Sequence, residues 1–211
     1  MVQSLAISNL TLPQLEEAKH LKLADDPDFF TEWRQQLPDL NDEETRYLDQ
    51  VQREYFDQTR NGQISEGLVK LVVISPLLHL AGFYRRPFEV RLEESVQVEA
   101  TEANEVWRGR IDALVIQDYF WVLVVEAKHS AFGIDIAIPQ ALGYMLANPN
   151  PDRFTYGLVT NGSSFAFLKL AQTPDPVYEI SDVMLLLPGR NVLHQVLQVM
   201  KGLGEQVTKE M

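Results

Sequence analysis

The chain has 211 residues, 45% of them hydrophobic, and carries a formal net charge of −12. This length and apolar content are typical of one main domain with a substantial core, and no uncharged apolar run reaches the roughly 18 to 20 residues that span a bilayer. The absence of cysteine excludes disulfides and thiolate zinc sites. We expect a soluble protein of the reducing cytoplasm with no membrane segment.

Acidic residues are concentrated in the first part of the chain. Residues 1–60 hold 13 acidic and 6 basic groups, whereas residues 61–211 hold 17 and 12. Nucleic-acid affinity comes largely from Lys and Arg side chains that neutralise phosphates, so this composition argues against strong binding by the chain alone. If the chain binds DNA, we expect weak non-specific affinity or a protein partner that supplies the grip.

Helical patterns precede the strand patterns along the chain. Residues 13–60 alternate acidic and apolar positions with almost no β-branched runs, which predicts two or three helices. Asn61-Gly62 is a turn signal and marks the expected boundary between an acidic helical segment, 1–60, and the main domain, 61–211. A buried helix is predicted from about 64 to 81, kinked or broken at Pro76.

Apolar and polar residues alternate from residue 88 to residue 98, which predicts the first long strand. Two further strands are predicted at 106–116 and 120–127, and the second is apolar enough for a central strand covered on both faces. The later elements are a helix, two strands around the turn Asn161-Gly162, and a closing helix, at 135–147, 154–159, 164–170 and 191–207. This order predicts an α/β domain with a central mixed β-sheet flanked by helices.

Charged residues lie on two adjacent predicted strands. Asp112 belongs to the first, and Glu126 and Lys128 end the second. Side chains two residues apart on a strand point to the same face, so Glu126 and Lys128 project together. If Asp112 joins that face, two carboxylates and an ammonium converge, as phosphodiester hydrolysis with Mg²⁺ requires. The alternative is a solvated strand end with an ordinary ion pair between Lys128 and Glu126.

Four elements in this order resemble the PD-(D/E)XK nuclease superfamily, especially the nuclease domain at the start of type I restriction R subunits. The first is a helix with a glutamate, here Glu66, and the second is a strand with an aspartate, here Asp112. The third is a strand that ends in Glu-x-Lys, here Glu126 and Lys128. The fourth is a helix with Gln and Tyr four residues apart, here Gln140 and Tyr144. The similarity covers roughly residues 61 to 170. Ile111 stands where a proline often precedes the aspartate, a departure that many members share.

The resemblance implies a restriction-endonuclease-like fold and a Mg²⁺ cofactor, for which Mn²⁺ substitutes. It assigns the side chains of Asp112 and Glu126 and the backbone carbonyl of Ala127 as metal ligands. Glu66 would approach the metal directly or through water. Its alternative role is that of a solvated first-turn glutamate that follows a cap at Ser65.

The same resemblance assigns roles to the neighbouring polar residues. Lys128 would orient and help deprotonate the attacking water and offset charge on the phosphate. Gln140 would help to organise the site, and Tyr144, on the same helix face, would support it or touch nucleic acid. Arginines are the candidate phosphate contacts, although each taken singly is equally compatible with an ordinary surface residue: Arg85, Arg86, Arg108, Arg110 and Arg153.

We therefore expect a Mg²⁺-dependent deoxyribonuclease, an endonuclease in restriction, defence or DNA repair. Its partners would be DNA and a protein that supplies specificity or a motor, since no Gly-x-x-x-x-Gly-Lys-Ser/Thr phosphate loop occurs. One alternative is a non-catalytic nuclease-fold module that binds protein or nucleic acid, and another is a nuclease that acts on RNA. The oligomeric state stays open, and a dimer is compatible with the sequence.

Side-chain parity also predicts the register of the two site strands. Opposed residues of an antiparallel hairpin share a face, so placing Asp112 level with Glu126 requires an odd loop, 118–120, or a compensating bulge. A regular two-residue turn without a bulge would instead oppose Asp112 to Val125.

Overall fold

The structure, a computed structural model, describes residues 3–100, 105–117, 120–131 and 133–209. Within these residues nine strands form one mixed sheet. The strands are β1 (Gln3–Ala6), β2 (Lys22–Leu23), β3 (Phe88–Ala100), β4 (Glu105–Gln117), β5 (Phe120–Ala127), β6 (Thr155–Thr160), β7 (Ser164–Ala171), β8 (Val177–Ile180) and β9 (Met184–Leu185). Their order is β1-β4-β5-β6-β7-β8-β2, with β3 beside β4 and β9 beside β7.

Helices cover both faces of this sheet. They are α1 (Leu12–Lys19), α2 (Asp42–Thr59), α3 (Glu66–Val69), α4 (Ser75–Leu80), α5 (Ala137–Met145) and α6 (Leu193–Lys209). One core contains residues of α2, α3, α4 and α6, and the other contains residues of α1 and α5. In the described part of the chain, no helix combines the length and the apolar character needed to cross a membrane.

The central strand β5 explains the apolar run in the sequence. Leu123 and Val125 are buried in the core with α2 and α6, while Val124 is buried in the core with α5. β5 pairs antiparallel with β4 and parallel with β6, so both of its edges are also occupied. The predicted α/β fold with a mixed sheet flanked by helices is therefore confirmed.

Residues of the acidic segment are part of the same cores. β1 pairs with β4 and β2 pairs with β8, so both ends of the sheet order are strands from this segment. Leu48 and Val51 of α2 pack in one core with Val69 and Leu77. The predicted helices are present as α1 and α2, but residue 60 marks a change of composition and not a break between two cores.

The predicted helix at 64–81 runs from Glu66 to Leu80 and changes its hydrogen bonding in the middle. Between α3 and α4, Lys70–Ile74 form a π-helical turn. Pro76 follows directly, lacks an N–H, and carries a ring that clashes with the carbonyl four residues earlier. A π turn widens the helix at this level and accommodates the proline without breaking it. Lys70 occupies the first position of that turn.

The short strands β1, β2, β8 and β9 were not predicted. Each has two to four residues, too few for a visible period of two. The turn predicted at Asn161-Gly162 is displaced by one residue, because the Asn161 N–H donates to the Ser164 carbonyl at 3.3 Å. Gly162, with φ of 90°, therefore takes the first central position of the turn.

Candidate functional site

The two site strands pair in the predicted register. Ala113 faces Val125, and one further step along the ladder brings Asp112 level with Glu126. Closer to the turn the register shifts between Val115 and Ile116. This is the compensating bulge that side-chain parity requires. The turn residues, 118 and 119, lie outside the described residues.

Asp112 is held by one backbone group and one ammonium. It is 8% exposed, its Oδ2 accepts a hydrogen bond from the Ala127 N–H at 2.8 Å, and its Oδ1 accepts one from Lys70 Nζ at 2.6 Å. Burial raises the pKa of Asp112, and the bonds from Lys70 and Ala127 offset only part of that effect. The predicted metal contact of the Ala127 carbonyl stays a prediction.

Glu126 has one oxygen that is engaged and one that is not. The side chain is 2% exposed, and Oε1 accepts a hydrogen bond from Lys128 Nζ at 2.6 Å. Oε2 is buried without a hydrogen-bond partner among the described residues. Burial and then repulsion from Asp112 raise the pKa of Glu126 to about 8 despite Lys128. A buried oxygen without a partner is uncommon in folded proteins and suits a cation ligand.

A chain of hydrogen bonds runs from Lys128 into α5. Lys128 Nζ donates to Gln140 Oε1 at 2.6 Å, and Gln140 Nε2 donates to the Tyr144 hydroxyl at 2.8 Å. The spacing of four residues in the helix makes the second contact possible. The structure therefore brings Lys128, Glu126 and Gln140 together, and Gln140 fixes the direction of the ammonium.

Of the two roles predicted for Tyr144, its burial favours support of the site over contact with nucleic acid, because its side chain is only 2% exposed. Its ring packs against Gly109 of β4, where an added Cβ would lie 2.6 Å from Tyr144 Cε1. Burial, and then the charge of Glu126, raise the pKa of the phenol to about 12. Tyr144 is therefore a neutral support behind Gln140.

Sequence reasoning missed Lys70, which lies among the carboxylates of the site. Its Nζ is 2.6 Å from Asp112 Oδ1, 2.9 Å from Glu66 Oε1 and 3.5 Å from Glu93 Oε1. Burial lowers its pKa, but the bonds with Asp112 and Glu66 outweigh burial and raise the pKa above its usual value. The signal in the sequence was the spacing of four residues between Glu66 and Lys70.

Glu66 lies in the first turn of its helix, as predicted, and its carboxylate also contacts a lysine of the site. It is the first residue of α3, and the Ser65 hydroxyl caps the helix by accepting from the Leu68 N–H at 3.3 Å. Its carboxylate reaches the site through Lys70. Direct or water-mediated metal binding by Glu66 stays a prediction.

The hairpin of β3 and β4 is irregular at the level of Asp112. Leu92 pairs with Ala113 and Glu94 pairs with Ile111, while Glu93 between them adopts φ of 55°. On β4, Ile111 packs in the core with α5, whereas Ala113 two residues later packs in the opposite core. Such irregularities re-aim side chains and are common near functional sites.

The predicted arginines do not all gather at this site. Arg110 is exposed at its rim, with Nε 3.3 Å from Glu93 Oε2, and Arg108 is exposed further along β4. Arg85 and Arg86 are exposed after α4. Arg153 precedes the first residue of β6, and Lys128 bonds to Thr160 at the other end of that strand. At about 3.3 Å per residue, Arg153 therefore lies roughly 20 Å from Lys128. Their roles in nucleic-acid binding stay predictions.

Asp112 opens into a cleft of about 320 Å³ between the π-helical turn and β3. Its walls are mainly apolar and include the exposed side chains of Leu71, Tyr84 and Leu92. Among the described residues no group of three or more His, Asp or Glu side chains is arranged to hold a metal ion. A metal ion at this site would therefore have two carboxylate ligands, Asp112 and the half-engaged Glu126, and would need further oxygens from backbone or water, and its binding stays a prediction.

Comparisons with known proteins give little further information. The chain matches no described family and no curated protein. It is similar to a solved fragment assigned as the HsdR subunit of a type I restriction enzyme from Vibrio vulnificus, with 21% identity and a TM-score of 0.40. The similarity covers 65% of this chain and 26% of that one, so the match spans about a quarter of the fragment.

Proposed function

We propose that the protein is a Mg²⁺-dependent nuclease of the PD-(D/E)XK type that hydrolyses DNA phosphodiester bonds, with Mn²⁺ as a substitute metal. The observation that carries the proposal is the buried, unpartnered Oε2 of Glu126, level with Asp112 and beside an ammonium that Gln140 orients. Glu32, which pairs with Lys169, also has a buried oxygen without a partner among the described residues, so the free oxygen supports a metal ligand only together with the position of Glu126 level with Asp112.

The metal, when bound by Asp112 and Glu126, would polarise the phosphate and lower the pKa of a bound water. Lys128 has three N–H donors, and the described residues engage two of them, through Glu126 and Gln140, so the third can serve a water or a phosphate oxygen. Gln140 keeps this donor aimed, and Tyr144 keeps Gln140 in place. A positioned ammonium next to developing negative charge stabilises the transition state.

The proposed substrate reaches the site along the exposed side of β4. Arg110 and Arg108 alternate along this strand and offer bidentate contacts to consecutive phosphates. Two arginines cannot provide strong affinity for a chain with a net charge of −12. We therefore propose that a protein partner contributes specificity or a motor.

The test is cleavage of labelled duplex, single-stranded and branched DNA, and of RNA, with Mg²⁺ or Mn²⁺ and with EDTA. Cleavage is expected with metal only, and Lys128→Ala should reduce it by about a hundredfold or more, as the loss of one electrostatic stabiliser does. Lys201→Ala is the matched control, because it removes an ammonium paired at 2.7 Å with Glu44, outside the site. Equal activity of wild type and Lys128→Ala would show that the cleavage belongs to another site.

One observation favours a second candidate, a non-catalytic module that keeps this fold to bind protein or nucleic acid. Lys70 already neutralises Asp112, so in this conformation the site is electrostatically satisfied without metal. This candidate predicts binding to a partner or to nucleic acid that is unaffected by EDTA, and no cleavage of any of the substrates above.

A further inference from the structure

We propose that Lys70 is the resident cation of the metal-free site, which leaves Asp112 when a divalent metal binds and so sets how much metal the protein needs. This inference rests on the proposed function, because it concerns the same carboxylates. Its subject is a residue that the nuclease resemblance does not include.

The distances make Lys70 and a metal competitors for the same oxygen. Lys70 Nζ lies 2.6 Å from Asp112 Oδ1. A Mg²⁺ ion on that oxygen lies at about 2.1 Å, so the two cations would be less than about 5 Å apart. At that separation two charges of +2 and +1 repel, and every increase of the separation weakens the repulsion. Simultaneous occupancy is therefore unfavourable, and metal binding is coupled to the release of Lys70.

The second lysine of the site differs in this respect. Lys128 donates to Oε1 of Glu126 and leaves Oε2 free. A metal on Oε2 does not displace that hydrogen bond. Asp112, in contrast, has both oxygens engaged, one by the Ala127 N–H and one by Lys70. Since the backbone N–H is part of the sheet, Lys70 is the partner that can move.

The structure offers Lys70 an alternative partner close by. Glu93 Oε1 is 3.5 Å from Lys70 Nζ, and Glu66 stays bonded at 2.9 Å. A movement of about 1 Å toward Glu93 would bring that contact to hydrogen-bond length. Glu93 adopts φ of 55°, and its other oxygen, Oε2, lies 3.3 Å from Nε of Arg110, which leaves Oε1 on the side of Lys70. Lys70 can thus exchange Asp112 for Glu93 without losing its charge or entering the core.

The test is a titration with Mn²⁺ alone, in which calorimetry gives the Kd and melting curves give the melting temperature. Lys70→Met keeps the length and apolar stem of the side chain and removes the charge. We expect its Kd for Mn²⁺ to be lower than that of wild type by about fivefold or more, the usual size of a coupling between two sites. Its metal-free melting temperature should be lower, because Asp112 and Glu66 lose their cation, and its rise on adding Mn²⁺ should be larger.

Three variants serve as controls. Lys201→Met removes a lysine of similar exposure, 23% against 26%, from a pair with Glu44 at 2.7 Å and should leave the Kd unchanged. Lys70→Arg keeps the charge, so its Kd for Mn²⁺ should be close to that of wild type. Lys70→Gln keeps hydrogen-bond donors without charge and gives the same test as Lys70→Met should the methionine variant not fold.

The outcomes separate this inference from the proposed function. If wild type binds Mn²⁺ and both neutral variants bind it equally or more weakly, Lys70 is a support for the ligands and the inference is wrong. If neither wild type nor any variant binds Mn²⁺ at millimolar concentration, the carboxylates do not form a metal site. The proposed function then fails, and the inference fails with it.

Discussion

Replacement of Glu126 by Gln should stabilise the metal-free protein at alkaline pH. Glu126 is 2% exposed, and burial together with repulsion from Asp112 raises its pKa from 4.5 to about 8. Below pH 4.5 the folded and unfolded states both carry the proton, so the group contributes nothing to the pH dependence. Between these pKa values only the folded state keeps the proton, so stability falls as pH rises, and above pH 8 the full cost of a buried charge applies.

The magnitude follows from the two pKa values. At 1.36 kcal/mol per pKa unit, the difference corresponds to a cost of about 5 kcal/mol for ionised Glu126. Gln cannot ionise, and it keeps an acceptor for Lys128 but loses the attraction between charges. We therefore expect a net gain of about 2 kcal/mol, which raises the melting temperature of a chain of this size by about 4 to 8 °C.

The assay is urea unfolding in EDTA at pH 5, 7 and 8.5. Glu32→Gln is the control, because this substitution should lower the free energy of unfolding instead of raising it. Glu32 accepts hydrogen bonds from Lys169 at 2.5 Å and from Tyr156 at 2.9 Å. Burial raises its pKa, but these bonds outweigh burial and lower it. Glu32→Gln should thus destabilise at pH 7 by about 1 to 3 kcal/mol. A Glu126→Gln protein that is no more stable than wild type at pH 8.5 would refute the reasoning.

Three further substitutions test the packing around these groups. Lys169→Met removes a buried ammonium that lies 4.2 Å from the Phe154 ring centroid and pairs with Glu32. The free energy of unfolding at pH 7 should fall by about 3 to 5 kcal/mol. The difference should be smaller at low pH, where protonated Glu32 needs no cation. Gly109→Ala should cost about 1 to 3 kcal/mol in the same assay, since the new Cβ would meet the ring of Tyr144 at 2.6 Å, and an unchanged stability would mean that the ring moves freely. Glu93→Gly should be more stable than Glu93→Ala by about 1 kcal/mol in paired melting curves; both lose the carboxylate, so equal stabilities would show that φ of 55° is not a source of strain.

The long elements of the fold were predictable because their signals are local. The apolar run of β5 needs burial on both faces wherever it lies, and the structure provides it for Leu123, Val124 and Val125. Once Asp112 is required to lie level with Glu126, the two-residue period of strands leaves only an odd loop or a bulge, and the structure has the bulge. These inferences use neighbours in sequence and require no knowledge of distant contacts.

The features that could not be predicted depend on contacts between distant parts of the chain. Lys70 is 42 positions from Asp112, and only the packing of the π-helical turn against β4 brings them together. Tyr144 is buried because Gly109, on another element, leaves space for its ring. The strands of the first 60 residues are short and form only because they pair with β4 and β8. The pattern of acidic and apolar positions in this segment therefore predicted helices but not these strands.

The charge of the site implies an order of events in the proposed reaction. Four carboxylates face three cations, namely Glu66, Glu93, Asp112 and Glu126 against Lys70, Lys128 and Arg110. Because the pKa of Glu126 is raised to about 8, this carboxyl keeps its proton at neutral pH, and the three other carboxylates balance the three cations. A phosphodiester would add a negative charge to this balanced site, and ionisation of Glu126 would add another. A divalent ion would offset both charges, and because Lys70 moves toward Glu93 and stays within the cluster, its charge is retained. Metal binding should therefore precede productive contact with DNA, and an acidic chain then needs no basic stripe at the point of cleavage.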